Sequence, residues 1–267
     1  MTGHAATPVW TQVTGTVLTV TLANEAARNA LSTAMFDALE RAVAEADSMA
    51  RTGAIDIVVI RARGRAFCAG FDLAEAVAEP ALLGTFVHRL GAIVAAIRAL
   101  DAIVVAAVQG PALAGGCAIV AACDIVCASR GASFGYPVHR IGVSPAVSLP
   151  TLMATCGPGA ARILALSGEI VDASRALELG LVHRLAEDEA ALDTMVRALA
   201  MDLAAKGPHA LRETKRWLNR IDGTAPSGAL GARAQAATRV SAQSCEGDEA
   251  RTLLASYWAS RSQGRKG

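Results

Sequence analysis

The chain has 267 residues, 53% of them hydrophobic and 18% charged, with 25 Lys and Arg against 24 Asp and Glu. That is enough apolar chain for one large core, and the balanced charge excludes a field that would gather nucleic acid or an anionic membrane, so an anionic ligand has to be met by local groups. The six cysteines suit neither a small disulfide scaffold nor a zinc site, and Met1 to Trp10 lacks the basic-then-apolar order of a secretory signal, so the expectation is a cytoplasmic protein with reduced thiols.

Val9 to Leu22 alternates about Gly15 and predicts an opening hairpin. Ala23 to Ser32 reads as a loop, with Ser32 capping a helix from Thr33 to Met49; Met35, Leu39 and Val43 mark its core face, Glu40 and Arg41 its outer face. Ile55 to Ile60 predicts a buried strand. Gly64 to Leu73 (GRAFCAGFDL) then turns at Ala69-Gly70 and starts a helix on Asp72 and Glu75, spaced as a capping box. The helical pattern breaks near Pro80 and resumes from Leu82 to Leu100. Ile103 to Val108 predicts a second buried strand, broken by Gln109-Gly110-Pro111, after which Gly115-Gly116 opens the helix Cys117 to Ala122 and Asp124 to Ser129 forms another strand. These breaks make Ala102 to Val126, the most apolar stretch, a strand and helix rather than a membrane span.

From Pro158 onward helices dominate: Ala160 to Ser167, Ala173 to Leu179 between Asp172 and Gly180, Asp188 to Ala205, Pro208 to Arg220, Ser227 to Ala242 and Gly247 to Ser262, with a frayed end at Arg261 to Gly267. The order of strands and helices predicts an α/β fold with mostly parallel pairing and right-handed crossovers. The change of character toward the end divides the chain into a core, residues 1–195, and a C-terminal helical region, residues 196–267.

Two stretches share a chemical feature. The first turn of a helix has backbone amides without partners and the positive end of the dipole, so it stabilises an oxygen that gathers negative charge. Gly115 stands at one such start and Phe71 at another. A Gly-Gly pair alone serves close packing; two starts aimed at one thioester oxygen would form an oxyanion hole. The sequence here resembles the crotonase superfamily, the enoyl-CoA hydratase/isomerase family. The matching residues are Arg28-Asn29-Ala30-Leu31-Ser32, Gly64 to Leu73, Gly110 to Cys117, Cys123-Asp124-Ile125, Phe134-Gly135 and Ala173 to Val182.

The resemblance implies a spiral of ββα units, with C-terminal helices that cover the site and build a homotrimer, often paired into a homohexamer. It also implies an acyl-CoA thioester as substrate, a place in fatty-acid metabolism, no metal, and no cofactor beyond the CoA that the substrate carries. By the same resemblance Arg28, Ala30 and Ala66 border the CoA adenine and phosphates. Phe71, Asp72, Leu73, Ala74 and Gly115 hold the pantetheine and thioester, with the Phe71 and Gly115 amides as oxyanion donors. Lys215 and Arg216 are further candidates for phosphate contact, or else the polar face of their helix.

The hydratases of that family carry two glutamates that handle water and the α-proton, and the corresponding places are Ala118 and Val138. Neither side chain transfers protons. Ile141 to Val147, where related isomerases place an acid, contains none. His139 is taken as the catalytic acid or base, ahead of Tyr136, Ser144 and His88. Cys68, beside the turn, reads as packing. The expected activity is therefore isomerase, decarboxylase or thioesterase-like chemistry rather than hydration, the alternative being a CoA-thioester binding protein without turnover.

Overall fold

In the computed structural model, which describes residues 7–225 and 229–263, the opening hairpin forms as β1 (Val9–Thr14) and β2 (Val17–Leu22), antiparallel about Gly15 at φ 58°. The Ser32 hydroxyl accepts from the Met35 amide at 3.1 Å and starts α1 (Thr33–Thr52), which runs past the expected Met49 and ends where Gly53 takes φ 74°. Met35, Leu39 and Val43 are buried on it as expected. β3 (Ile57–Ala62), α2 (Leu73–Ala78), α3 (Leu82–Ala99) and β4 (Ile103–Val108) follow. The next elements are β5 (Ala112–Leu113), α4 (Gly115–Ala122), β6 (Ile125–Ser129) and β7 (Ser133–Gly135).

Two 3-10 turns, Pro137–Ile141 and Pro145–Ser148, lead into α5 (Leu149–Ser167). This helix starts well before the expected Ala160; it breaks at Gly157 (φ 77°, ψ 165°), where Pro158 has no amide to continue the ladder, and resumes from there. β8 (Ile170–Asp172), α6 (Ala173–Glu178), β9 (Arg184–Ala186), α7 (Glu189–Ala204), α8 (Pro208–Ile221), α9 (Ala229–Glu246) and α10 (Asp248–Gln263) complete the chain. Ser227, the expected start of α9, and the end of the tail expected to fray lie outside the described residues.

The main sheet has six strands in the order β1-β2-β3-β4-β6-β9, and every pair after the first is parallel. The α/β class is therefore as the sequence reads. Val58 and Ile60 belong to the core shared with α1, α3 and α4, while Ile57, Val59, Val105 and Cys127 pack under α7. Strands apolar on both faces are what a parallel sheet covered on both sides requires. The division at residue 195 falls inside α7, whose Leu192, Val196, Leu199 and Leu203 all meet the sheet in one cluster. Packing thus carries the core unit to the end of that helix.

A second, three-stranded sheet, β5-β7-β8, has strands too short to show a period in sequence. Together with α4 it sets the backbone around Gly115. α9 packs along α3 and the Pro145–Ser148 turn, and α10 against α2 and the Pro137–Ile141 turn, so both C-terminal helices lie over this region.

Candidate active site

Three backbone strips run side by side. The Leu31 amide donates to Gly70 O at 2.8 Å and Leu31 O accepts from Asp72 N at 3.1 Å, a parallel bridge that spends the groups on either side of Phe71. The Phe71 N–H therefore points away from Leu31. On the other side Cys68 N donates to Pro111 O (3.1 Å) and Leu113 N to Cys68 O (2.9 Å). The two turns end up adjacent: a Cβ on Gly70 would stand 3.0 Å from Ala114 Cβ and 3.9 Å from Gly115 N. Among the described residues neither the Phe71 nor the Gly115 amide has an acceptor. The Phe71 ring, with centroids 6.2 Å from Phe36 and 5.7 Å from Phe86, anchors its end of the pair.

The residue that joins β5 to α4 is strained. Ala114 takes φ 51° and ψ −113°, a region that side chains disfavour. It is held on both sides, its N–H donating to Gly135 O at 2.8 Å and its O accepting from Ala118 N at 3.0 Å. The two glycines after it divide two roles that the sequence assigns to the pair. A Cβ on Gly116 would lie 2.5 Å from Cys68 O, so Gly116 lets helix and strip touch; one on Gly115 would meet side chains alone, most closely the movable end of Leu31, Cδ1 at 2.7 Å, with Leu90 Cδ2 and Phe71 Cε1 each at 3.5 Å. Asp72 caps α2 through Ala74 N (2.9 Å) and Glu75 N (3.3 Å). The reciprocal half of the expected box is missing, because the Glu75 carboxylate binds Thr33 N and Oγ1 instead.

Beside the amides lies a cavity of about 20 Å³ whose wall includes Phe71, Leu90, Gly115, Tyr136, Val138 and Val147. No carboxylate lines it. Val138 is in the wall, whereas Ala118, one turn along α4, is fully buried outside it. His139 does not take the place proposed for it. It sits exposed on the first 3-10 turn, its Nδ1 facing Gly168, because Val138 uses the inward position of that turn. His88 lines a different cavity, about 570 Å³, between α3 and α9. Ser144 is in the wall, its hydroxyl accepting from Ala146 N at 3.3 Å. Tyr136, which the sequence placed behind His139, lines the cavity. Tyr136 is 1% exposed, and its hydroxyl lies close to the Cys117 thiol and the Ser148 hydroxyl but makes no hydrogen bond of good geometry among the described residues. Burial pushes its pKa well above 10, so it stays a neutral donor.

A sequence profile for the enoyl-CoA hydratase/isomerase family matches residues 12–248. The chain belongs to that family. Its relatives include a 2,3-dehydroadipyl-CoA hydratase of Escherichia coli, 34% identical over 227 residues that cover 85% of this chain and 87% of the other. A short-chain-enoyl-CoA hydratase of Clostridium acetobutylicum is 29% identical over 77% of this chain and 78% of its own. Among solved structures, an enoyl-CoA hydratase from Mycobacterium avium superposes with a TM-score of 0.81 at 31% identity, covering 96% of this chain and 98% of that one.

Within this enoyl-CoA hydratase/isomerase fold the residues read as CoA contacts differ in exposure. Arg28 is exposed at φ 54°, Ala30 and Ala66 are buried, Leu73 is half-buried and Ala74 exposed. Asn29, which the sequence reading passed over, ties them together: at φ 53° its amide donates to Arg63 O and Ala66 O, both 2.9 Å, and its carbonyl accepts from Asn24 N at 2.8 Å. A buried asparagine tolerates the left-handed region that two successive residues adopt there. Lys215 is taken up elsewhere, its Nζ 2.8 Å from both Asp124 Oδ2 and Ala102 O, and Arg216 pairs with Asp101 at 2.7 Å. Cys68 is buried, its pKa pushed up to about 12 by desolvation, as packing requires.

Proposed function

We propose that this family member binds an acyl-CoA thioester with the carbonyl oxygen at the Phe71 and Gly115 amides, and stabilises a thioester enolate there without the carboxylate pair of a hydratase. The observation that carries this reading is two acceptor-free amides beside a cavity wall that holds Val138 and no acid. An oxyanion donor is worth roughly 10²–10³ in rate, while positioned acid and base groups add about 10²–10⁴. The first contribution is supported; the second has no side chain to supply it in the manner of paired glutamates. Double-bond isomerisation, decarboxylation and thioester hydrolysis draw on the oxyanion hole and ask less of paired carboxylates. The substrate brings the only CoA, no metal takes part, and the working assembly is a homotrimer or homohexamer.

The test is a turnover screen of the purified protein with crotonyl-CoA, a malonyl-type thioester and a 3-enoyl-CoA. Turnover on one of the last two, with crotonyl-CoA hydrated several orders of magnitude below the ordinary ~1–10³ s⁻¹, is the expected result. Hydration of crotonyl-CoA within that range would sink the reading. A second reading, thioester binding without turnover, draws on the small size of the cavity, about 20 Å³. Tight binding with no turnover on any of the three would favour it.

A further inference from the structure

Tyr136 is buried and lines the cavity that Gly115 and Phe71 also line, and its hydroxyl, close to the Cys117 thiol and the Ser148 hydroxyl, makes no hydrogen bond of good geometry among the described residues. Its position follows from the small sheet: Gly135 O accepts the amide of the strained Ala114, so the residue after Gly135 falls directly behind the first turn of α4, against Cys117. Buried hydroxyls are almost always hydrogen-bonded, and an orphaned one weakens a fold unless something else answers it. Among the described residues the remaining wall is mostly hydrocarbon, with Phe71, Leu90, Val138 and Val147 beside Ser144 and Ser148, and includes no cation. A charged partner would be left without a counter-ion here, whereas a neutral oxygen would not.

We propose that Tyr136 donates its hydroxyl hydrogen bond to a neutral oxygen, a ketone or hydroxyl, on the acyl group of the bound thioester, and so selects oxygenated acyl groups over plain hydrocarbon ones. The proposal rests on the thioester reading above, which places the acyl group in this cavity. Because the phenol stays protonated, it acts as a donor and takes no proton from the substrate. A saturated acyl group in the same place leaves the donor orphaned, which is how a polar site rejects an apolar analogue.

The experiment is calorimetric titration of acetoacetyl-CoA and butyryl-CoA, equal in chain length and differing in the 3-oxo group, into wild type and Tyr136→Phe. Wild type should bind acetoacetyl-CoA about tenfold more tightly, the scale of one neutral hydrogen bond. Tyr136→Phe should lose that preference, keep its affinity for butyryl-CoA, and melt no lower than wild type, since the deleted hydroxyl makes no hydrogen bond of good geometry among the described residues. An equal preference in both proteins overturns the proposal while leaving the thioester reading intact. So does a variant that melts lower and binds both ligands equally more weakly, the mark of a structural role. If neither thioester binds wild type, the thioester reading falls and this proposal falls with it.

Discussion

At the scale of single residues, adjacent glycines have separable purposes. Gly115 contributes an amide and faces side-chain atoms, the end of Leu31 nearest, whereas Gly116 contributes the absence of a side chain against the Cys68 carbonyl. Gly116→Ala should therefore cost about 1–3 kcal/mol of stability through overpacking against rigid backbone, read as a fall in the thermal midpoint. Gly115→Pro removes the donor; a variant that still folds, by circular dichroism, should lose about 10²–10³-fold in turnover or more. If the folded Gly115→Pro protein keeps full activity, the oxyanion assignment is wrong. Ala114 shows why this turn is rigid enough to hold an amide in place. Its unfavourable φ is kept by two backbone hydrogen bonds that belong to different elements, one in the small sheet and one in α4.

At the scale of elements, what was legible in the sequence was whatever a local signal writes. Ser32, Asp72 and Asp172 all cap the helices they were expected to start, and the apolar runs of β3, β4 and β6 form buried parallel strands. β5, β7 and β8 were not legible, because they are two or three residues long and their partners are distant in the chain: Ala112 pairs with Phe134, and Phe134 with Val171. The same blindness explains the choice of His139 over Tyr136. Side-chain chemistry favours the histidine, but which of the two faces the cavity is decided by how β7 seats on β5, and that register is tertiary. Gly115 does open α4 as its local signal says, but Phe71 stands before Asp72, the cap of α2, so its amide belongs to the bridge with Leu31 and not to a helix start.

The wall opposite Gly115 has its own fastening. Ser241 on α9 is fully buried; its hydroxyl donates to Ser144 O and accepts from Val147 N, both at 2.9 Å, while Ser244 Oγ accepts from Ser144 N at 3.1 Å. Ser241→Ala leaves Ser144 O and Val147 N unsatisfied and should cost about 1–3 kcal/mol. Local opening should rise accordingly, so amide exchange at Val147 should quicken by about tenfold or more while the Val105 amide, in the centre of the sheet, changes only with global stability. Equal changes at both amides would mean that the serine supports the whole fold and not this wall in particular.

At the scale of the molecule, the surface that remains apolar after folding bears on the proposed assembly. On α10, Leu254 is 5% exposed, inside the core that the helix helps close, while Leu253, Tyr257 and Trp258 are half-buried. α8 is different. Its inner face is fixed by Lys215 on Asp124 and by Asn219 donating to Arg98 O, which leaves Trp217 and Leu218, each 57% exposed, and Ile221 at 78% turned outward together. Large apolar side chains grouped on one exposed helix face are the kind of surface that association covers, and closed symmetry lets three copies use one pair of patches around an axis. We expect wild type to sediment as a trimer or hexamer at micromolar concentration and Ile221→Asp to shift toward smaller species without unfolding, since an exposed position tolerates the charge. Leu254→Asp should behave oppositely, losing stability because it places a charge in the core. An Ile221→Asp protein of unchanged mass would remove α8 from the interface, and a wild-type monomer would remove the assembly itself.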